Sequence, residues 1–124
     1  MPVEIEVDEA KSLVSLRSTG TLGDADLNEI VTRLGELAPR CQGFDLLADV
    51  SEADGLPITT HVLRSIAADG PSFGPDSRRA IVVPSELAYG LGRMYSAYAD
   101  PDMRNLRLFR TREEALEWLA PPSD

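Results

Sequence analysis

Phe44-Asp45-Leu46-Leu47-Ala48-Asp49-Val50-Ser51 is an apolar run closed by an acidic-hydroxyl turn, and Glu52-Ala53-Asp54-Gly55-Leu56-Pro57 follows it. A short run that is apolar on both faces reads as a parallel strand buried in the middle of a sheet. Phe44 to Val50 is therefore expected to be that strand. Pro57 then opens an amphipathic run in which Ile58, Val62, Leu63, Ile66 and Ala67 form one stripe. Proline suits the first helical position, where its missing N–H costs nothing. Ser51 to Pro57 is expected to be a loop at the carboxyl edge of the sheet, where open α/β folds meet ligands and partners. It carries no recognisable catalytic set.

On the amino-terminal side, Val3, Ile5 and Val7 alternate with Glu4, Glu6 and Asp8, a period-two strand pattern with one buried face. A polar turn leads to a second extended run at Leu13-Val14-Ser15-Leu16, which stops at Thr19-Gly20. The two make an antiparallel hairpin. A helix follows from Asp24, with Leu27, Ile30, Val31, Leu34, Leu37 and Ala38 on one stripe and Pro39 as its stop.

Beyond the central strand, Arg79 to Pro84 is another continuous apolar strand. Ser85 caps a helix whose apolar side is read as Leu87, Leu91, Met94, Tyr95 and Tyr98. Leu106 to Phe109 is a last strand. Thr111-Arg112-Glu113-Glu114 is a capping box that opens a last helix, packed through Ala115, Leu116, Trp118 and Leu119. The order is β-β-α-β-α-β-α-β-α. It predicts one α/β domain over residues 1–124, with a mixed five-stranded sheet and four helices.

Composition narrows the function. The net charge of −9 over 124 residues opposes nucleic acid, because binding a polyanion needs cations that displace counterions. It equally opposes an anionic membrane surface, and no window is long and apolar enough to insert in a bilayer. The amino terminus has no basic region before an apolar stretch, so the expectation is a cytoplasmic protein.

Cys41 is the only cysteine and His61 the only histidine. An inert thiol, a surface or packing histidine, and no metal or other cofactor are expected. Asp45, Asp49, Glu52 and Asp54 gather around one strand without calcium-loop spacing, and a solvated acidic rim is expected there.

Glycines inside the third helical pattern need an explanation, since each costs helix stability. Ala88, Gly92 and Ser96 recur every fourth residue, and Gly90 adds a second gap. Close backbone approach would offset that cost, either within the chain or across a two-fold interface between copies. Tyr89 and Arg93 stand four apart beside this stripe, where an aromatic ring and a cation can stack.

The opening acidic strand pair, Leu-Leu-Ala-Asp-Val-Ser (46–51), Arg-Arg-Ala-Ile-Val-Val (78–83), Leu-Ala-Tyr-Gly-Leu-Gly-Arg-Met-Tyr (87–95) and Leu-Phe-Arg-Thr-Arg-Glu-Glu-Ala-Leu-Glu-Trp-Leu (108–119) resemble the SpoIIAA-like branch of the STAS fold. That group is related to anti-sigma factor antagonists, which carry a phosphorylatable serine in an Asp-Ser-Ser-Gly-Leu-like motif. The matching positions here are Ala53-Asp54-Gly55-Leu56, so Gly-Leu is kept and the serine pair is absent. Asp54 is read either as a helix cap or as a fixed negative charge in the place of a phosphoserine. Ser51, Thr59 and Thr60 are the nearby hydroxyls.

The resemblance implies a non-enzymatic regulatory or protein-interaction module, expected to be a homodimer. Contacts are expected at Ser51, Asp54, Gly55, Leu56, Thr59, Tyr89, Gly92 and Arg93. The alternative is a domain binding a small apolar or lipid-like ligand, because the wider fold group includes lipid-transfer-like domains with a cavity between helices and sheet. A hydrolase is a third class with little behind it, since no nucleophile elbow is present.

Overall fold

In β1 (Val3–Asp8) the alternation of valine and isoleucine with acids places Ile5 opposite Leu16 and Val7 opposite Val14 of antiparallel β2 (Leu13–Thr21). The structure is a computed structural model and describes residues 3–69, 73–100 and 105–120. Strands β3 (Asp45–Gly55), β4 (Arg79–Val82) and β5 (Leu106–Phe109) follow, each parallel to the strand before it. The sheet order is β1-β2-β3-β4-β5.

Every parallel step runs in the same direction across the sheet. Right-handed crossovers then put all the connecting helices on one face. These are α1 (Asp24–Leu37), α2 (Thr60–Asp69) and α3 (Glu86–Ala99). The other face would be bare over its parallel half without α4 (Arg112–Leu119). Ala115 and Leu119 of that helix pack on Leu47, Ala80 and Val82, with Phe109 and Trp118 at the margin. On the opposite face, Val14 and Leu16 meet Ile30 and Leu34 of α1, together with the buried thiol of Cys41.

Three features differ from the sequence reading. Strand β3 does not stop at Val50 but continues through the polar residues to Gly55. The reason is its neighbour: β2 runs on to Thr21 and offers ladder partners, Thr19 to Glu52 and Thr21 to Gly55, across two register irregularities. Most of the expected Ser51–Pro57 loop is therefore strand.

Helix α2 begins at Thr60, after Pro57. Thr59 takes the cap instead, its hydroxyl accepting from Val62 N at 3.3 Å. Asp24 at the start of α1 holds it there, accepting from Thr59 N at 2.9 Å and from its Oγ1 at 3.0 Å.

The third difference concerns which residues of α3 and α4 face inward. Leu87, Met94 and Tyr98 point out, Leu87 being 87% exposed, and so does Leu116 of α4. Ala88, Leu91, Gly92 and Tyr95 face the sheet side. The caps are where the sequence places them. Ser85 Oγ accepts from Ala88 N, and Thr111 Oγ1 accepts from Glu114 N.

Gly92 earns its place by proximity to β5, because a Cβ there would stand 2.9 Å from Leu108 Cδ2. Around Gly90 a Cβ would meet nothing within 4 Å. Gly92→Leu should therefore overpack the helix–sheet contact and lower stability by about 1–3 kcal/mol. Gly90→Ala should raise it by about 0.5–1 kcal/mol, through helix propensity alone. Urea midpoints of the two variants check both signs.

Candidate functional site

Small residues on facing elements leave space between them. Ala48 of β3, Ala67 of α2, and Ala88 and Gly92 of α3 converge beneath the helical layer, and a cavity of about 200 Å³ lies among them. Its walls are otherwise mostly aliphatic, including Val50 of β3, Ile81 of β4, Val31 of α1 and Ile66 of α2, with Arg79 and Tyr95 as the polar exceptions. Toward the amino ends of the strands it meets a second, polar chamber of about 300 Å³, which includes Ser77, Asp100, Asn105 and exposed Pro75. Leu34, Leu46, Ala67 and Arg79 belong to both.

Arg79 is placed by strand geometry. Successive strand residues point to opposite faces, so the pair Arg78-Arg79 at the start of β4 sends one guanidinium each way. Arg78 goes to the α4 side and is fully engaged. It donates to Asp45 Oδ2 at 3.3 Å and to the carbonyls of Trp118 and Leu119 at 2.8 Å, and it lies 5.5 Å from the Trp118 ring centroid. Arg79 goes to the cavity side, where its guanidinium meets the phenol of Tyr95. Burial pushes the Tyr95 hydroxyl above its ordinary pKa, and the cation of Arg79 offsets part of that rise.

At the carboxyl edge the acids form separate pairs in place of the expected rim. Arg17 pairs with Glu52 and Arg112 with Asp49. Asp49 is buried on the α4 side and accepts from Ser51 Oγ at 2.5 Å, Ser51 N at 3.0 Å and Arg112 Nη1 at 3.2 Å. Burial alone would raise this carboxyl. The hydrogen bonds from Ser51 and the Arg112 charge outweigh it and hold the group below the ordinary aspartate range.

Of the residues the sequence singled out, Leu56 and Gly92 come together on the cavity wall. Ser51 is turned to Asp49, Thr59 is held by Asp24, and Asp54 and Gly55 end β3 instead of opening a helix. Tyr89 is half-buried and Arg93 exposed. Among the described residues, the cations over rings are Arg64 on Tyr98, and Arg78 and Arg107 on Trp118. His61 is exposed, and among the described residues no three His, Cys, Asp or Glu side chains converge as a metal site would require. Arg79 is the site residue that sequence reasoning missed. Two adjacent arginines opening a buried strand were the available signal, since one of them had to face each side.

A depressed aspartate pKa means that the pair stabilises the fold above the unfolded-state value near 4, and that this contribution is lost as pH falls through the folded-state value. Asp49→Asn should cost about 1–3 kcal/mol at pH 7, by removing a charge-assisted acceptor from three donors. The gap to the unmodified protein should narrow as pH drops below about 4. Thermal melts of both proteins at several pH values measure it.

No family model matches the chain, and no curated protein matches it. Among solved structures, an uncharacterised protein of the DUF3478 family from Shewanella loihica PV-4, described as having a SpoIIAA-like fold, is 22% identical. The alignment covers 95% of this chain and 92% of that one, with a TM-score of 0.60. The five-stranded mixed sheet, its four helices and this likeness together identify the fold of the chain as SpoIIAA-like.

Proposed function

We infer that the domain binds a small apolar or amphipathic molecule in the cavity between the sheet and α1, α2 and α3. The observation that carries this is the 200 Å³ space itself, walled by aliphatic side chains where close packing is the rule. An apolar void forfeits dispersion contacts and costs stability in proportion to its volume. A ligand recovers those contacts, and a cavity of ~150 Å³ is already enough to take up benzene. Among the described lining residues, Arg79 and Tyr95 carry the polar side chains, a set suited to holding a head group beside an apolar chain.

A protein-interaction role has one observation behind it, the outward stripe on α3. Leu87 and Met94, seven residues apart, expose apolar surface on one face of that helix. A homodimer formed there would lose affinity in Leu87→Asp. Sedimentation at micromolar concentration tests it, and a monomeric unmodified protein would remove this second reading.

The cavity is tested by NMR titration with octan-1-ol. Side-chain methyl signals of Val31, Ile66 and Ile81 should shift in a saturable way, and Ala67→Phe, which fills the space from α2, should abolish the shifts. A protein whose methyl signals ignore the alcohol up to its solubility limit would overturn the binding reading.

A further inference from the structure

The position of one guanidinium gives the ligand a chemical class. The geometry points to an aliphatic carboxylate, with its chain in the apolar cavity and its head group held by Arg79 and Tyr95. This rests on the reading of the cavity as a binding site.

Arg79 stands where the two chambers meet, half-buried, and it opens a strand whose next residues, Ala80 and Val82, are fully buried. Four other arginines in this acidic chain have carboxylates: Arg17 has Glu52, Arg78 has Asp45, Arg110 has Glu86 and Arg112 has Asp49. Arg79 has none within ion-pair distance among the described residues. Its guanidinium donates to the Tyr95 phenol. A cation withdrawn from water needs an anion or several acceptors to offset its lost hydration.

The one carboxylate among the described residues lining the polar chamber is already engaged. It is that of Asp100, whose Oδ2 accepts from Asn105 N and Leu106 N at 2.9 Å each, tying the end of α3 to the start of β5. A ligand carboxylate suits the pair of Arg79 and Tyr95 chemically. Guanidinium offers two parallel N–H groups to its oxygens, and a phenol whose oxygen accepts from Arg79 still has its own proton to donate.

Next to this head-group site the wall turns aliphatic at once, with Ile81 and Leu91 beside Tyr95. On the scale of benzene in ~150 Å³, the space accepts a chain of roughly eight carbons. Octanoate is thus the matched probe. Octan-1-ol has the same chain without the charge, and octylammonium has the opposite charge.

Calorimetric titration of the unmodified protein should find octanoate bound about tenfold or more tightly than octan-1-ol, as a charge-assisted hydrogen-bonded pair requires. Octylammonium should bind more weakly than either. Arg79→Met keeps the length of the stem and removes the charge. It should cost octanoate that advantage while leaving octan-1-ol within about twofold. Tyr95→Phe should cost octanoate a smaller factor.

If octan-1-ol and octanoate bind equally, the carboxylate assignment fails and the cavity reading survives. If neither binds, both fail. The comparison among the three probes on unmodified protein decides the matter even where Arg79→Met does not fold. A folded Arg79→Met that retained the preference for octanoate would also overturn the assignment.

Discussion

Strand β3 is the member on which the other elements depend. It pairs in parallel with β2 on one edge and β4 on the other, and is covered on both faces. Leu47 and Asp49 point to α4, while Leu46, Ala48 and Val50 point to the helical layer. Over Asp45 to Val50, where the strand is paired on both edges or packed on both faces, a slip would move apolar side chains to the wrong layer, so its register fixes both layers. Leu47 on one face is fully buried against Ala115 and Leu119 of α4, and Ala48 on the other borders the cavity. The two faces of the sheet thus meet different surroundings.

The difference follows from connectivity. Uniform right-handed crossovers place α1, α2 and α3 on one side, with α4 alone on the other. The single helix can seat itself on β3, β4 and β5 through Ala115 and Leu119, with Arg78 closing its carboxyl end. Where the three helices converge on the sheet, small residues leave the space open. Gly92 is the exception, letting α3 approach Leu108 of β5. The site is a consequence of how the layer is tethered. Polar groups at its edge then give it chemical character.

Charge placement follows a related logic. Along β3 the acids are spaced by the rise of the strand, Asp45 toward Arg78 at one end and Asp49 toward Arg112 farther along, both on the α4 side. What reads in sequence as one acidic cluster becomes separate ion pairs, because four extended residues put roughly 13 Å between the two aspartates. Alternation of faces instead separates Arg78 from Arg79, giving one a structural task and the other a place beside the cavity.

The sequence by itself determined the elements and their order. Hydrophobic period separates strand from helix, Ser85 and Thr111 mark two helix starts, and the alternation of elements dictates a parallel sheet with an opening hairpin. It also exposed the question posed by Gly92. Only the tertiary structure decided that Ser51 to Gly55 is strand, since polar residues adopt that form when β2 offers a ladder. The cap at Thr59 depends on an aspartate 35 residues away, which no local pattern reveals. The cavity is likewise a property of three helices and a sheet together, because a void belongs to the gap between elements and to no segment of the chain. Arg79 draws its meaning from that gap, as the place where a cation with no carboxylate partner among the described residues meets an apolar space.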